Sequence, residues 1–501
     1  MKLKFIFLFV FLFALSQKLH GSGEVDKVNQ LVMALSSDES FSGVVLVAVK
    51  GKIIYHRAFG LANREWGIQN TVYTRFKIGS VSKPITAMLC LQLVDHGILD
   101  LKGTISNYLP EYSGEGADRI TIEHLLNHTS GIQSSPKNEA SVERLNHKPS
   151  DFIKYLEDEP LLFEPGEDFS YSNLGYSLLA IIAERASHVP FNKLLEQYIF
   201  RPLKMSETKE YDASVVEKNL ASGYEYKLLD GFQCASWIDP SYAIGCGGLI
   251  SSVYDLYCFD QALYSNKLIP DYLKEKMFAP SMKGNYGYGW EINTQRVSNM
   301  GNSVKVFSHS GSINGFGAYM ARVENDSIFV AVLKNNRADT YISPAYTTQI
   351  GQMIISILYG EDIDIPKKSI AKKLGLIIGK SGIENAVSNY YFLKEKEAGS
   401  YNFEEAELNK LGIELYFKFK KPKEALRIFE VNIHEYPYSY NTYDSYAFIL
   451  KETGDYSTAI RYYKKGLEVL KKYPDKNTGE SIRQDSENAK KFIDNYLSGI
   501  E

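Results

Sequence analysis

The stretch FKIGSVSKPITAM (Phe76–Met88) places a serine and a lysine three residues apart where a helical pattern begins. Apolar residues follow at helical spacing, and Gly97 ends the pattern. Residues three apart lie on one side of a helix, so Ser80 and Lys83 are expected to face each other. A serine hydroxyl becomes nucleophilic when a neighbour removes its proton. The stretch therefore predicts a nucleophile with its proton carrier, although the polar first turn of an ordinary helix gives the same pattern.

The pattern S-x-x-K alone is weak evidence, because the chain contains it four times. The other three occurrences begin at Ser134, Ser206 and Ser369. Ser134 precedes a proline in a polar loop, and no apolar helix is expected to begin at Ser206 or Ser369. The context therefore favours Ser80 as the candidate nucleophile.

Two further motifs supply the groups that such a nucleophile needs. FSYSNLGYSLLAIIAERAS places Tyr171 and Asn173 at the start of a second apolar helix, and VKVFSHSG ends a strand-like run at His309. Y-x-N also occurs at Tyr264, where it follows the end of a surface helix. Serine, lysine, tyrosine, asparagine and a strand ending in H-S-G, in that order, are what one acyl-transfer site requires. The combination is more specific than any of its members.

The order of helices and strands predicts an α+β fold. Strand-like runs lie near the N-terminus, helical patterns dominate from Thr86 to about Leu263, and strand patterns return near residue 304. Such an order fits a sheet interrupted by a helical insertion, with helices packed on the sheet. A site between the sheet and the insertion would bring the three motifs together.

With ITIEHLLNHTSGI, IFRPLKM, GCGGLISSVYDL and SHSGSINGF, these motifs resemble the penicillin-recognising serine hydrolases, on the branch related to class C β-lactamases. The likeness covers about residues 23 to 357. It implies a β-lactamase-like antiparallel sheet with flanking helices and an inserted helical subdomain. It also implies a serine hydrolase that forms an acyl-enzyme and needs no cofactor.

The resemblance also assigns roles to individual residues. Ser80 would attack a carbonyl carbon, and Lys83 and Tyr171 would carry the proton; which of them is the base stays open. The backbone N–H groups of Ser80 and Ser312 would bind the oxyanion. The residues expected to contact substrate are Asn173, His309, Gly311 and Ser312.

His309 departs from the family pattern and bears on the substrate. β-Lactamases and carboxypeptidases usually carry lysine there, in K-T-G, whereas histidine is mostly neutral near pH 7. The departure favours a small ester, amide or D-residue peptide over a penicillin or a C-terminal D-alanine. A β-lactamase or D-alanyl-D-alanine carboxypeptidase is the alternative enzyme. The alternative of another class is a non-catalytic sensor or scaffold that recruits a partner.

Charge and histidine spacing exclude other classes of ligand. The 56 basic and 60 acidic residues give a net charge of -4, so no nucleic-acid partner is expected. His124 and His128 lie four residues apart, as metal ligands on a helix can, but no glutamate lies between them. No metal is expected, and the partner predicted for the site is a small molecule or peptide.

The N-terminus has the pattern of a signal peptide. Two lysines precede the apolar run FIFLFVFLFAL (Phe5–Leu15), which is too short to span a bilayer. We expect residues 1–21 to be removed on export to the periplasm or the exterior, with no integral membrane segment in the mature chain. Of the four cysteines, Cys234 and Cys246 are the nearest candidates for a bridge, although free thiols are favoured.

The last part of the chain shows a 34-residue spacing. Ala425 and Phe429 recur as Ala459 and Tyr463 within KPKEALRIFEVNIHEYP and DYSTAIRYYKKGLEVLKKYP, which resemble tetratricopeptide helix pairs. Two repeats rarely suffice, so either capping helices near 382–397 and 484–497 or the body of the hydrolase is expected to support them. The predicted domains are the hydrolase at 22–360, a linker and capping helix at 361–400 and the repeats at 401–501. The repeats would bind a protein partner or brace the hydrolase.

Overall fold

The computed structural model describes residues 22–157, 159–281, 283–297, 303–338 and 346–499, so the predicted signal peptide lies outside the described residues. The chain forms two compact units, and it passes from the first to the second after Ile365. The segment 226–233 belongs to the second unit, although the sequence on both sides of it belongs to the first. No helix in the described ranges is both long enough and apolar enough to cross a bilayer.

The centre of the first unit is a six-stranded antiparallel sheet. Its strands are β1 (Gly43–Val49), β2 (Lys52–Phe59), β3 (Glu291–Arg296), β4 (Ser303–Ile313), β5 (Phe316–Val323) and β6 (Ile328–Lys334). Their order in the sheet is β3–β4–β5–β6–β1–β2. Between β2 and β3 lies the long, mainly helical insertion that the sequence predicts, and the predicted α+β fold is confirmed.

Both faces of this sheet are covered, which explains why β1 reads GVVLVAV without polar alternation. Val44 and Leu46 belong to one core, and Val45 and Val47 belong to the core on the opposite face. Successive side chains of a strand point to opposite faces, so β1 contributes to both cores. The helices α1 (Ser22–Ser37) and α4 (Thr347–Leu358) provide the second core with its covering layer.

Two helices of the insertion position the candidate site. They are α2 (Ser82–Asp95) and α3 (Asn173–Ser187), and they pack against each other. Twelve consecutive residues of α2, Ser82 to Leu93, are buried, as expected for a helix surrounded by protein on all sides. The other α-helices of the unit are Ile105–Tyr108, Ile122–Leu126, Glu139–Val142, Pro149–Glu157, Phe191–Leu195, Arg201–Leu203, Val253–Leu263 and Asp271–Met277.

Short elements complete the first unit and its loops. A π-helical turn spans Glu196–Phe200, and 3₁₀ turns span Gly79–Val81 and Pro240–Ala243. The strands Phe76–Lys77, Leu249–Ser251 and Lys209–Glu210 form a small sheet in that order. The remaining short strands before α4 are Leu61–Asn63, Ile68–Gln69, Tyr224–Lys227, Gly231–Cys234 and Asn336–Ala338, of which residues 226–233 and Ala338 belong to the second unit.

The second unit is built mainly from α-helices. They are α5 (Ile370–Ser381), α6 (Ile383–Lys396), α7 (Glu405–Phe417), α8 (Pro422–Glu435), α9 (Tyr440–Glu452), α10 (Tyr456–Lys472) and α11 (Glu480–Leu497), with a 3₁₀ turn at Pro474–Lys476. A parallel pair of two-residue strands joins Lys368–Ser369 to Tyr401–Asn402. α6 and α11 occupy the positions where capping helices are expected.

The helix α5 corrects one detail of the sequence analysis. We expected no helix to begin at Ser369, but its hydroxyl caps α5 by accepting a hydrogen bond from the Lys372 N–H. Gly375 and Gly379 weaken the helical pattern, yet both are needed for packing. A Cβ at Gly375 would lie 2.4 Å from Leu228 Cδ1, and a Cβ at Gly379 would lie 2.0 Å from the Leu229 carbonyl oxygen.

The residues that carry the 34-residue spacing are all buried in the core of the second unit. Ala425 and Phe429 lie on α8, while Ala459 and Tyr463 lie at the matching positions of α10. α7 packs against α8, and α9 packs against α10, so the unit contains two successive helix pairs. The tetratricopeptide interpretation and the predicted domain boundaries stay predictions.

The four cysteines are free thiols in this structure. Cys90 and Cys246 are buried, whereas Cys234 is exposed. The possible bridge between Cys234 and Cys246 is therefore not formed.

Gly412 tests whether the first helix pair depends on close packing. A Cβ at this position would lie 2.5 Å from the ring of Phe429, which is fully buried and cannot move aside. Gly412→Ala should therefore lower the free energy of unfolding by about 1–3 kcal/mol, although alanine favours a helix by about 1 kcal/mol. Denaturant unfolding followed by circular dichroism measures the change. Gly399→Ala, which meets no atom within 4 Å, is the matched control, and equal stability of both variants would contradict the packing.

Candidate active site

Ser80 lies in the 3₁₀ turn immediately before α2 and is partly exposed. The preceding residue, Gly79, has a φ of +51°, and a Cβ there would lie 2.9 Å from the backbone nitrogen of Ser312. Gly311 is equally restricted, because a Cβ would lie 2.0 Å from the carbonyl oxygen of Ile78. These two glycines let the turn lie against the end of β4. The backbone of Ser80 and that of Ser312 therefore lie close together at the end of β4.

Lys83 lies on the first turn of α2, and its side chain is fully buried. Its ammonium nitrogen lies 3.1 Å from Ser80 Oγ, 2.7 Å from Asn173 Oδ1 and 2.9 Å from the carbonyl oxygen of Cys246. Each of the three N–H donors of an ammonium thus has an oxygen to bond. Burial lowers the pKa of Lys83 to about 8. About a tenth of the molecules would hold a neutral lysine near pH 7.

Tyr171 completes the surroundings of the lysine. Its ring centroid lies 4.7 Å from Lys83 Nζ, which places the ammonium over the aromatic face. Burial raises the pKa of Tyr171 well above its usual range, and a hydrogen bond with Ser80 offsets part of this rise. The phenol therefore keeps its proton in the free protein, while Lys83 is the group that can lose one near neutral pH.

Asn173 is the first residue of α3, and its position follows from the capping of that helix. The hydroxyl of Ser172 accepts a hydrogen bond from the Gly175 N–H, which fixes the start of α3. Asn173 then presents Oδ1 to Lys83, and its amide group is oriented by that contact.

His309 lies on β4 with 1% of its surface exposed. Nδ1 lies 2.7 Å from the carbonyl oxygen of Ser310, and Nε2 lies 2.8 Å from the hydroxyl of Tyr286. In the neutral ring, Nδ1–H donates to that carbonyl, and Nε2 accepts from the tyrosine. Burial, together with the charge of Lys83, lowers the pKa of His309 to about 3. The site therefore carries no cation at this position, and the substrate contact expected of His309 stays a prediction.

His128 bonds the backbone on both sides of Tyr171. The sequence analysis assigned this histidine no role in the site. Its carbonyl accepts a hydrogen bond from the Ser170 N–H at 3.0 Å, and its Nδ1 accepts one from the Ser172 N–H at 3.1 Å. Its ring centroid lies 4.4 Å from that of Tyr171 and 4.6 Å from that of Tyr286. A φ of +61° at His128 turns the chain so that both bonds form. In the sequence, the motif H-T-S-G, which begins at His128, was the signal that could have identified this residue.

His124 lies apart from this arrangement. Its backbone N–H bonds the hydroxyl of Thr121, and its Nδ1 faces the Thr121 N–H at 3.3 Å, so it caps its own short helix. Within the described ranges, no group of three or more histidine, cysteine, aspartate or glutamate side chains could hold a metal ion.

The neutrality of His128 and His309 can be measured directly. Burial lowers the pKa of His128 well below its usual range, and the charges of Lys83 and His309 act in the same direction. Because a lowered pKa keeps the neutral form dominant, neither ring should titrate between about pH 5 and 8, where an ordinary histidine does. Nitrogen-15 NMR of histidine-labelled protein, with signals assigned through His128→Asn and His309→Gln, tests this. A midpoint near 6.5 for either ring would contradict the arrangement.

Comparison with known proteins connects this geometry to a family. The sequence model of the beta-lactamase family matches residues 28–344. The chain is 30% identical over 461 residues to penicillin-binding protein 4* of Bacillus subtilis (strain 168), which covers 86% of this chain and 97% of the relative. That share is larger than the part of the chain that ends at Ile365, so the alignment includes residues of the second unit.

Solved structures agree with the sequence relatives. The octameric penicillin-binding protein homologue from Pyrococcus abyssi has a TM-score of 0.59 and 26% identity, with 70% of this chain and 81% of that chain covered. The D-amino acid amidase from Ochrobactrum anthropi SV3 has a TM-score of 0.58 at 22% identity, with 67% and 97% covered, which shows a shared fold.

The family match includes every residue that the fold gathers around Lys83. Ser80, Tyr171, Asn173 and His309 all lie within residues 28–344. The family match and the relative confirm the predicted resemblance and the prediction of a serine hydrolase, while the roles of the individual site residues stay predictions. The chain belongs to the beta-lactamase family of serine hydrolases.

Proposed function

We propose that the protein hydrolyses a small ester, amide or D-residue peptide through an acyl-enzyme on Ser80. The observation that carries the proposal is the contact of 3.1 Å between Ser80 Oγ and the buried ammonium nitrogen of Lys83, whose pKa burial lowers to about 8. A serine hydroxyl needs a neighbouring base, and a lysine with this pKa can serve as one near neutral pH.

In the proposed acylation, neutral Lys83 accepts the proton of Ser80. Ser80 Oγ forms a bond to the substrate carbonyl carbon, and the bond from that carbon to the leaving group then breaks. Tyr171 donates its proton to the leaving group and regains one from Lys83, because its raised pKa keeps the phenol protonated beforehand. A water molecule then loses a proton to Lys83 and attacks the ester carbonyl carbon; the bond to Ser80 Oγ breaks, Oγ regains the proton from Lys83, and the acid leaves.

The developing oxyanion would be bound by two backbone N–H groups, those of Ser80 and Ser312. The close approach of Gly79 to the Ser312 backbone supports this assignment, because it brings the two backbone segments together at the end of β4. A donor of this kind contributes about 3–4 kcal/mol to the stability of the transition state in related acyl transfers. Asn173, held by Lys83, would orient the substrate amide or ester group.

The neutral His309 supports esters, amides and D-residue peptides as substrates, because it offers no fixed charge to a penicillin carboxylate. A β-lactamase or D-alanyl-D-alanine carboxypeptidase is the second candidate, and the relative named penicillin-binding protein 4* favours it. We further propose export through residues 1–21 and a protein partner for the helical unit. Both rest on the sequence pattern alone.

The acyl-enzyme can be tested with a short-chain nitrophenyl ester. Wild type should release nitrophenol and gain the mass of the acyl group, whereas Ser80→Ala should lose at least about 1,000-fold in rate and show no added mass. Ser206→Ala is the matched control, since Ser206 begins another S-x-x-K pattern but is exposed at the surface. A chromogenic cephalosporin measured in parallel separates the two candidate activities. Equal inertness of wild type and Ser80→Ala would instead favour a non-catalytic sensor or scaffold.

The dependence of rate on pH tests Lys83 as the base. Because protonation removes the base, kcat/KM for a neutral ester should fall about tenfold per pH unit below pH 8 and level off above it. Lys83→Met should remove this dependence together with most of the activity. Circular dichroism at each pH shows whether the protein stays folded. A rate that is constant from about pH 6 to 8 would contradict Lys83 as the titrating base.

A further inference from the structure

Lys77 is a cation beside the candidate active site that the proposed chemistry does not use. It precedes Ser80 by three residues and ends the short strand Phe76–Lys77. Its ammonium nitrogen lies 4.4 Å from the ring centroid of Tyr211, 5.6 Å from that of Trp237 and 6.0 Å from that of Phe316. These aromatic faces attract a cation but do not neutralise its charge.

Two cations near Lys77 each have a carboxylate as an ion-pair partner. Arg75 and Lys209, which flank it in the chain and in the small sheet, both form ion pairs with the buried carboxylate of Glu217. Among the residues that the structure describes, no carboxylate lies within ion-pair distance of Lys77. Burial alone lowers the pKa of Lys77, and no charged group opposes that change. The fold thus keeps a partly buried ammonium without a counter-charge.

The ammonium of Lys77 lies near the backbone of the candidate nucleophile. Lys77 lines a recess together with Tyr211, Gly247 and Ile313. Ile313 follows Ser312, and a Cβ at Gly247 would lie 3.5 Å from the carbonyl carbon of Gly79, the residue before Ser80. The recess therefore adjoins the backbone groups that would bind the oxyanion.

A larger, acidic cavity adjoins the recess. Tyr211 and Pro240 line both the recess and a neighbouring cavity of about 450 Å³, whose lining includes the carboxyl groups of Glu210, Asp212 and Asp239. Trp237 is 46% exposed, so an apolar face beside the ammonium is open to solvent. A ligand whose acidic group meets Lys77, and whose short apolar chain stays out of this acidic cavity, would match these features.

We propose that Lys77 binds a carboxylate of the substrate, so that the preferred substrate is a small acyl compound with a second, anionic end. This proposal rests on the proposed hydrolysis at Ser80 and names its substrate class. An ammonium donates charge-assisted hydrogen bonds to a carboxylate, and the partial burial of Lys77 strengthens them. Lys83 cannot provide this contact, because Ser80, Asn173 and the Cys246 carbonyl already occupy its donors.

A matched pair of esters tests the assignment. Nitrophenyl butyrate is neutral, whereas the mono-nitrophenyl ester of glutaric acid carries a carboxylate at the far end of a similar chain. Wild type should prefer the glutarate ester in kcat/KM. Lys77→Met should lower kcat/KM for that ester by about 10–100-fold and change the butyrate rate by less than about threefold. Lys77→Arg, which retains the positive charge, should keep most of the preference.

Lys305→Met is the matched control. Lys305 also packs on an aromatic ring, with Nζ 4.7 Å from the Phe307 centroid, but it is exposed on β4 and lines neither the recess nor the cavity. Its replacement should leave the ratio of the two rates unchanged. Equal losses for both esters in Lys77→Met would show that Lys77 only supports the fold. An unchanged ratio in Lys77→Met would likewise overturn the proposal.

A binding measurement distinguishes the proposed role of Lys77 from the proposed hydrolysis at Ser80. In a Ser80→Ala background, calorimetry should show that monomethyl glutarate binds at least about tenfold more tightly than methyl butyrate and that Lys77→Met removes the difference. If the protein does not hydrolyse the esters but still binds the two ligands with this difference in affinity, only the role of Ser80 is overturned. Hydrolysis that depends on Ser80 without the binding difference would overturn the role of Lys77 alone.

Discussion

The burial of one ammonium group determines how the first unit is arranged around its site. Lys83 has no access to water, so its three donors must find oxygens within the protein, and they find them on three separate parts of the chain. The turn before α2, the start of α3 and the loop at Cys246 must all be in place together. Depression of the Lys83 pKa from 10.5 to about 8 corresponds to a cost of about 3 kcal/mol in folding free energy at neutral pH. That cost is fully present below about pH 8 and disappears as the pH rises past the unfolded pKa of 10.5.

The groups around this lysine are mostly neutral, and their neutrality has a physical origin. His128, Tyr171, Tyr286 and His309 form one aromatic cluster, in which burial disfavours the charged form of each group. A protonated histidine here would repel the ammonium of Lys83 and would lack water to solvate it. The cluster therefore leaves Lys83 as the group with a charge that changes near neutral pH. In the proposed reaction, Lys83 is therefore the group that accepts the proton of Ser80.

Local patterns in the sequence predicted much of this arrangement, and tertiary contacts account for what they missed. The motifs around Ser80, Tyr171 and His309 could be recognised because each lies within a short helical or strand-like pattern. The acceptor at Cys246 is a backbone carbonyl, which leaves no mark in the sequence, and the two bonds of His128 depend on a segment more than forty residues away. The isolation of Lys77 follows from Glu217 being paired with other cations, which no local pattern reveals.

The second unit shows how a boundary drawn along the sequence can differ from one drawn in space. Leu228 and Leu229, from a segment within the hydrolase sequence, belong to the same buried core as Leu374 and Ile378 of α5. Recombination at Ile365 would therefore move the helices to another protein without two of their own core residues. An exchange that keeps the core of the second unit complete must carry residues 226–233 along with the helices. The alignment with penicillin-binding protein 4* likewise includes residues of both units.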